Sequence, residues 1–392
     1  MIGLCLAFET QNNYGTQLQA YATVKAIEAL GYEVGIIIYH KEYGVKDYIK
    51  GIKRLFLDDS IKQCIKKYKK GKLLKGDTSF AKNYNIRREK VRKFKEKYFF
   101  PKSKTYTGYE ELCKGANNYS TILSGSDQVW LPAGYASKFY TMMFVPDNIP
   151  KMSYASSFGV SDIPSYHRKE AYEFLNRLEY ISVREIKGKE LVKKYSGCDA
   201  MVVVDPTMLI SKRDWESMCV ELNEQKYIFC YFLGTSRESR MQAEILKKKT
   251  GLKIVVLKHL DEYIPEDESF GDYSPYNIGP EEFISYIKNA EYVLTDSFHG
   301  TVFSIIFQKQ FMTFYRFKNN DRMSKNSRID SLLEQLNIMS RIYKNGDIVE
   351  QIKRPIEYSD IDNKLIHLRN TSRKFLEESL GRCQKKYVSQ NK

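Results

Sequence analysis

Polar side chains that can do chemistry follow short apolar runs at five places in this 392-residue chain. The clusters lie at residues 12–17, 124–128, 182–185, 205 and 295–299. Each apolar run has the length and composition of a buried strand in a parallel sheet. Ligands of open α/β sheets bind beyond the carboxyl ends of the strands, so we expect these clusters to face one cleft.

His299 is the strongest candidate for catalysis. It stands in a predicted strand-to-helix turn, between Ser297 and Gly300 and before the apolar helix start 301–307. A helix start attracts anions, and an imidazole can act as acid or base near neutral pH. The alternative is a structural histidine that braces the turn. The other histidines lack informative neighbours and are interpreted as structural or exposed: His40, His167, His259 and His367.

Arg184 and Asp127 are candidates for binding an anion and for handling a hydroxyl proton. Arg184 follows a predicted strand, and a guanidinium suits bidentate capture of carboxylate or phosphate. A salt bridge to Glu185 or to a second domain is the alternative. Asp127 could orient a sugar hydroxyl or act as a base, or it could cap a helix. The residues before it, Ser124, Gly125 and Ser126, could wrap an anion.

The first predicted helix begins with residues that could hold a phosphate or a sugar: Asn13, Tyr14, Gly15 and Gln17. This segment has neither the GxGxxG of a dinucleotide site nor the GK[ST] of a P-loop, so NAD and ATP are not indicated. Arg316, Arg322 and Arg328 follow a later strand, where they either reach the cleft or form a solvated loop. No spacing of ligands predicts a metal site.

The elements that position these residues alternate as strand, helix, strand, which predicts parallel sheets. Strands are predicted near 2–8, 34–39, 121–123, 151–158, 180–183 and 201–204, and a second series follows from residue 215. We therefore predict an α/β fold of two Rossmann-like domains facing a cleft, over 1–205 and 206–350. A C-terminal helix and a frayed tail are predicted over 351–392.

The net charge of +15 is a local property of the chain. Residues 41–104 contain 22 Lys and Arg against 7 Asp and Glu, so the rest of the chain is neutral. A uniformly basic nucleic-acid binder is therefore excluded. The basic segment has helical periodicity in patches and is predicted to be a helical insertion. It is either a solvated surface or a docking surface for an anionic membrane or a polyprenyl-phosphate-linked acceptor.

The seven scattered cysteines include no CxxC pair, the N-terminus has no basic region or cleavage site, and no window of 18 apolar residues occurs. These features predict a cytoplasmic protein. The basic segment suggests the alternative of peripheral contact at the inner membrane face. The oligomeric state is not indicated by the sequence.

Several of these motifs, in this order, resemble the polysaccharide pyruvyl transferase family. They are Asn13-Tyr-Gly15 with Leu18-Gln-Ala-Tyr-Ala22, Ser124-Gly-Ser-Asp-Gln-Val-Trp130, Ser153-Tyr-Ala-Ser-Ser-Phe-Gly159, Ser182-Val-Arg-Glu185, Val204-Asp-Pro206 and Thr295-Asp-Ser-Phe-His-Gly300. The resemblance covers about residues 1–310. It implies a fold like the GT-B glycosyltransferases and transfer of a pyruvyl group from phosphoenolpyruvate to a pair of sugar hydroxyls, giving a ketal.

On that resemblance, Arg184 would bind the donor and His299 would be the general acid or a donor ligand, with Asp127 or Glu185 deprotonating hydroxyls. Many members carry Arg two positions before this histidine, where this chain has Ser297, so Arg316, Arg322 or Arg328 would have to supply the missing cation. No cofactor is implied beyond phosphoenolpyruvate as donor. A GT-B glycosyltransferase using nucleotide sugars and a non-catalytic glycan-binding protein are the alternatives.

Overall fold

Two parallel sheets form the body of the protein. The computed structural model describes residues 1–42, 68, 70–76, 78–224, 226–259, 263–317 and 326–390. Most of the first half of the basic segment, with the helical patches predicted within 43–67, lies outside these residues, as does Arg322. In both sheets every strand pair is parallel, as the alternation of strands and helices predicts.

The first sheet has the strand order β3-β2-β1-β4-β5. Its elements are β1 (Ile2–Cys5), α1 (Tyr14–Glu28), β2 (Val34–His40), α2 (Ser79–Tyr98), β3 (Ser103–Thr107), α3 (Tyr109–Gly115), β4 (Thr121–Ser124) and β5 (Lys151–Ser153). The residues of β1 and β4 are buried along their whole length, because helices cover both faces of the sheet. In the described part of the basic segment, Ser79–Tyr98 is helical as predicted, and the last residues, from Ser103, belong to the edge strand β3.

The strand predicted over 151–158 is much shorter in the structure. It ends at Ser153 because Ala155 has a positive φ of 54°, which a continuing strand cannot accommodate. Isolated parallel bridges from Met152 and Ser156 then join a short pair of strands to this edge. The added elements are α4 (Arg168–Leu175), β6 (Ser182–Val183), α5 (Ile186–Ser196) and β7 (Met201–Val202).

The second sheet has the order β11-β10-β8-β9. Its elements are α6 (Lys212–Met218), β8 (Ile228–Tyr231), α7 (Arg237–Thr250), β9 (Ile254–Val256), α8 (Pro280–Asn289), β10 (Tyr292–Thr295), α9 (Phe298–Ile306), β11 (Gln310–Thr313), α10 (Ser327–Gln335), α11 (Ile348–Lys353) and α12 (Tyr358–Gln390). The strand order reverses between β1 and β4 in the first sheet and between β8 and β10 in the second. Loops after these four strands therefore border the two crevices where doubly wound sheets bind ligands.

Helix α2 packs between the two halves of the molecule. Lys97 and Tyr98 contact the carboxylate of Glu281 at 2.9 and 3.0 Å, and Lys90 pairs with Glu282, both on α8 of the second half. The face of α2 that meets α8 is therefore an internal contact, whereas Arg88, Arg92 and Lys93 on the same helix are exposed. Several of its cations are held by carboxylates of the other half of the protein.

The C-terminal helix α12 returns to the first sheet. Ser372 accepts a hydrogen bond from the backbone N–H of Val204 at 3.0 Å, and Gln384 donates to Thr121 on β4 at 2.7 Å. Leu380 and Cys383 are buried against this surface. The prediction that the last dozen residues fray is wrong as far as Gln390, because buried side chains hold this end of the helix.

No helix within the described ranges is both long enough and apolar enough to cross a bilayer.

Candidate functional site

Loops that follow β4, β6 and β7 converge on the first turn of α9. They bring Asp127, Arg184 and Asp205 next to His299, at the junction of the two halves of the molecule. These residues are separated by up to 172 positions in the sequence. The expectation that the strand-end clusters lie close together thus holds for these four residues.

Arg184 is the centre of this cluster. Its side chain is about 1 % exposed and donates a hydrogen bond from Nη1 to Asp205 Oδ2 at 2.7 Å, while Nη2 lies 3.5 Å from Asp127 Oδ1. Burial alone would lower the pKa of the guanidinium, but the neighbouring carboxylates raise it above its usual value. Its Nε is buried without a hydrogen-bond partner in the described part of the chain. The salt bridge considered from the sequence exists, but with Asp205 and Asp127.

Asp205 joins the arginine to the histidine. Its Oδ2 accepts from Arg184 and from Ser126 Oγ at 3.0 Å and lies 3.6 Å from His299 Nε2, while Oδ1 accepts from the Thr207 hydroxyl and N–H. Burial would raise the pKa of Asp205, but His299 and Arg184 hold it well below its usual range. The sequence analysis placed Asp205 at a strand end and in a motif but gave it no role in the site. An Asp-Pro pair directly after a strand was the available signal.

His299 lies inside helix α9, because the helix begins three residues earlier than predicted. Ser297 caps it by accepting a hydrogen bond from the N–H of Gly300 at 3.3 Å. His299 Nε2 is buried without a hydrogen-bond partner among the described residues. On the other side of the ring, a Cβ built on Gly15 would lie only 2.1 Å from Nδ1. Only glycine therefore permits this close approach of α1 to the histidine.

Asp127 and Glu185 have opposite electrostatic environments. Burial would raise the pKa of Asp127, but Arg184, His299 and Arg328 lower it below its usual value, and Thr16 donates to its Oδ2 at 2.8 Å. The backbone of Asp127 has a φ of 80°, a strained conformation of the kind found at functional sites. Burial raises the pKa of Glu185, whose Oε1 accepts from Ser157 at 2.7 Å and whose Oε2 has no partner in the described structure.

Of the three candidate arginines after β11, the structure describes Arg316 and Arg328, and these two lie in different surroundings. Arg328 on α10 and Arg184 both lie near the ring of Phe298, with Cζ at 5.8 and 4.5 Å from its centroid. Burial, with repulsion from Arg184, lowers the pKa of Arg328 to about 10. Arg316 instead donates from Nη2 to the backbone oxygen of Asp296 at 3.0 Å. The structure thus places Arg328 near the cluster and ties Arg316 to the loop after β10.

Several residues predicted to bind substrate have structural roles. Gln17 is fully buried and donates to the carbonyls of Phe8 and Gln11, and Gly300 packs so tightly on Thr295 that a Cβ would lie 2.5 Å from its Oγ1. These contacts give both residues a packing role, and their contact with substrate stays a prediction.

The remaining predicted residues are also held by local contacts. Asn13 caps α1 by accepting from the N–H of Gly15 at 2.9 Å, and Tyr14 stacks on Phe283 at 4.9 Å between ring centroids. Gly125 packs on Leu6, and Ser124 is fully buried, with its Oγ unpartnered among the described residues.

A cleft between the halves brings Asn13, which the sequence analysis selected, together with residues of α2 and of the second half that it did not select as site residues. It has a volume of about 330 Å³ and is bordered by Asn12 and Asn13, by Arg87 and Arg88 on α2, and by His259 after β9. No sequence signal joins these positions, because they come from three distant segments that only the tertiary structure brings together.

The fold and the site define the class to which the protein belongs. It is an α/β protein of two Rossmann-like halves of the GT-B type, with an ionic cluster where the halves meet. A solved UDP-N-acetylglucosamine 2-epimerase is 10% identical to the chain, with a TM-score of 0.50, over 96% of this chain and 94% of that one. At this identity the similarity concerns the fold alone.

Two other solved structures align along most of the chain. A putative UDP-N-acetylglucosamine 2-epimerase from Listeria monocytogenes is 10% identical, with a TM-score of 0.47, and covers 94% of this chain and 89% of its own. The N-terminal domain of trehalose-6-phosphate phosphatase from Candida albicans is 10% identical, with a TM-score of 0.48, over 97% and 96% of the two chains. A comparison with curated proteins finds no significant match.

The family model for polysaccharide pyruvyl transferase matches residues 13–318. The match covers more than half of the chain, including the residues of the ionic cluster. The chain therefore belongs to the polysaccharide pyruvyl transferase family.

Proposed function

We propose that the protein transfers a pyruvyl group from phosphoenolpyruvate to two hydroxyls of a saccharide, forming a ketal in a surface or exopolysaccharide unit. The observation that carries this proposal is the cluster of Arg184, Asp127, Asp205 and His299 where the two halves meet. Buried polar atoms without partners are rare and costly, and this cluster holds two of them, Arg184 Nε and His299 Nε2. A bound ligand that accepts or donates hydrogen bonds would satisfy them.

The proposed reaction requires an acid, a base and an anion-binding group. Protonation of the methylene carbon of phosphoenolpyruvate gives a methyl group and an oxocarbenium-like centre. One sugar hydroxyl adds to this centre and loses its proton, and phosphate then leaves with the electrons of its C–O bond. The second hydroxyl adds and loses its proton, which closes the ketal. Of the two protons released, one balances the proton added to the methylene carbon and the other goes to phosphate or water.

Two cations are available near the cluster for the donor anion. The Nε of Arg184 has no hydrogen-bond partner among the described residues, although its terminal nitrogens face carboxylates, and the Arg328 guanidinium lies 5.8 Å from the centroid of the neighbouring Phe298 ring. Ser297, which stands where many family members have Arg, is occupied as a helix cap. We infer that Arg328 supplies the cation that the missing arginine would give.

His299 is the proposed general acid, and Asp205 is its positioning residue. The carboxylate of Asp205 lies 3.6 Å from Nε2, and Gly15 packs against the opposite side of the ring, so both fix the orientation of the imidazole. This arrangement places the imidazole next to the arginine that would hold the donor.

The base is Asp127 or Glu185, whose environments differ. The lowered pKa of Asp127 keeps it ionised, but makes it a weak base. The raised pKa of Glu185 brings it closer to neutrality, the range in which a carboxylate is an effective base. We therefore favour Glu185 for deprotonating the acceptor and Asp127 for orienting it.

The experiment measures phosphate release from phosphoenolpyruvate by the full chain with free and lipid-linked oligosaccharides, together with donor binding by calorimetry. His299→Asn should lower kcat by about 100-fold or more, because a positioned general acid contributes about that factor. The matched control is His367→Asn on α12, whose side chain is exposed. Arg328→Gln should weaken phosphoenolpyruvate binding by about tenfold.

Two outcomes would overturn this proposal in different directions. No phosphate release with any acceptor, together with no binding of phosphoenolpyruvate, excludes the reaction. Thermal stabilisation by UDP- or GDP-sugars under the same conditions would then favour a nucleotide-sugar glycosyltransferase. Variants at His299 and Arg184 that retain full cellular function would favour a non-catalytic glycan-binding role.

We also propose that the reaction takes place in the cytoplasm, at the inner membrane face when the acceptor is lipid-linked. The scattered cysteines and the basic composition of residues 41–104 support this placement. Co-sedimentation with vesicles that contain anionic lipid tests it, and binding that is indifferent to both anionic lipid and salt would remove the membrane contact.

A further inference from the structure

The cleft of about 330 Å³ between helix α2 and the second sheet lies next to the ionic cluster but is distinct from it. Asn13 and Tyr14 border the cleft, and the next residue, Gly15, contacts the ring of His299. A single short segment thus separates a second opening from the proposed reaction centre. The cleft is narrow, so it would hold one end of a ligand that extends beyond it.

The border of the cleft is cationic. Arg87 and Arg88 contribute two guanidinium groups and His259 an imidazole, and none of the lining residues in the described part of the chain is Asp or Glu. An anionic group is therefore the ligand chemistry that this cleft favours.

The two arginines are not equivalent. Arg87 is buried and donates to the backbone carbonyls of Lys258 and Pro275, so it fixes the wall of the cleft. Arg88 is exposed, and no described residue pairs with it. Arg88 therefore remains able to make charge-assisted hydrogen bonds to a ligand.

Aromatic and amide side chains complete the lining. Tyr14 and Tyr231 line the cleft with almost fully buried rings, Tyr84 is half-buried beside them, and Asn12 contributes an amide that donates to the Tyr84 hydroxyl at 3.3 Å. Aromatic faces beside amides suit a sugar ring, which has apolar C–H faces and polar edges. A second cleft of about 390 Å³ shares His259 and continues along α2, so an elongated ligand would have further surface.

We propose that this cleft binds the phosphorylated end of the saccharide acceptor, with Arg88 as the group that holds its phosphate. The inference rests on the proposed function for the identity of the acceptor. The chemistry that is recognised, a phosphate ester attached to a sugar, is shared by nucleotide-linked and polyprenyl-linked saccharides.

The test is calorimetric binding of glucose 1-phosphate, UDP-N-acetylglucosamine and a short-chain prenyl-diphosphate-linked N-acetylglucosamine to the full chain. Free glucose, inorganic phosphate and phosphoenolpyruvate are the comparison ligands. Arg88→Gln should weaken binding of the phosphorylated sugars by about tenfold or more, the effect expected for loss of a charge-assisted hydrogen bond. Arg92→Gln, one turn further along α2 and paired with Glu89 and Glu96 on the surface, is the matched control and should change nothing.

The pattern of affinities separates the outcomes. Tighter binding of the nucleotide sugar or of the prenyl-linked sugar supports the proposal and identifies the source of the phosphate ester. Inorganic phosphate binding as tightly as the phosphorylated sugars would overturn it, as would equal binding by free glucose. A tenfold loss of phosphoenolpyruvate affinity in Arg88→Gln would also overturn it, because the cleft would then hold the donor. Sugar-phosphate binding that depends on Arg88, in a protein that releases no phosphate from phosphoenolpyruvate, would refute the proposed function and leave this site standing.

Discussion

The contact between Gly15 and His299 gives the sharpest prediction, because one added methyl group should push α1 and α9 apart. An alanine Cβ at position 15 would lie 2.1 Å from Nδ1, 2.4 Å from Cγ and 2.8 Å from Cβ of His299. Non-bonded heavy atoms prefer separations of about 3.5 Å or more, so the ring or a helix must move by about 1 Å. The ring is buried between α1 and Asp205, which leaves it little room to move.

The free energies oppose one another, and the steric cost should exceed the gain in helix propensity. Gly→Ala inside a helix stabilises by about 0.5–1 kcal/mol, whereas overpacking of a buried contact costs about 1–3 kcal/mol. With three contacts below 3.0 Å, we expect the upper end of the cost, so Gly15→Ala should lose about 2 kcal/mol of stability. Gly381→Ala in α12 is the matched control, because its nearest neighbour, Tyr32 Oη, is 4.0 Å away. This control should gain stability.

Urea unfolding and thermal unfolding of the two variants measure the difference, which should be about 3 kcal/mol, or about 4 °C in Tm for a chain of this length. The same substitution in a His299→Gly background, which removes all three contacting atoms, should cost less than about 0.5 kcal/mol. Phosphate release should fall in Gly15→Ala, since the histidine is displaced. Stabilisation of Gly15→Ala like that of Gly381→Ala, or an equal loss in both backgrounds, would refute the reasoning.

Four further predictions concern buried charges. Arg184→Met leaves the carboxylate of Asp205 buried without its cation and should cost about 3–5 kcal/mol in urea unfolding; a loss typical of exposed pairs would contradict this. Arg87→Gln should lower the free energy of unfolding by about 2 kcal/mol in thermal unfolding, because two backbone carbonyls lose their hydrogen-bond donor. Arg88→Gln should change it by no more than about 0.5 kcal/mol. Equal effects of the two variants would be inconsistent with their different burial. The lowered pKa of Asp205 stabilises the fold above its unfolded value of 3.8, so stability should fall as the pH drops below this value, with a shallower fall in Asp205→Asn. Burial lowers the pKa of Lys151 from 10.5 to about 8, so as the pH rises the folded state loses this proton before the unfolded state does. The free energy of unfolding should therefore rise between pH 8 and 10.5. This rise should be absent in Lys151→Met.

The sequence indicated the parallel α/β architecture because its signals are local. Apolar runs such as Ile2–Cys5, turn residues such as Gly31 and a proline at the first turn of Pro280–Asn289 each specify an element without knowledge of the rest of the chain. The proline at its first position fixes the start of the helix Pro280–Asn289. The residues of the ionic cluster were selected for the same reason, since each follows an apolar run.

Local signals failed where long-range contacts decide the conformation. The strand after residue 151 ends early at Ala155, and the C-terminal helix continues to Gln390 because the first sheet buries it. The sequence analysis interpreted the cations of α2 as part of a solvated or docking surface. It could not identify their partners Glu281 and Glu282, because these lie almost 200 residues further along the chain. The pattern of charges along a sequence does not show which carboxylates will pair with which cations in the folded protein.

The amino-acid sequence by itself thus determined the fold class, the family and the residue types available for chemistry, because composition, periodicity and motif order are properties of the chain. Only the tertiary structure decided that Asp205 joins Arg184 to His299, that Gly15 is pressed against the imidazole, and that Arg88 borders an open cleft while Arg87 is buried. The physical reason is that burial and charge pairing arise from side chains distant in sequence, and these set both the pKa of a group and whether it is free to bind.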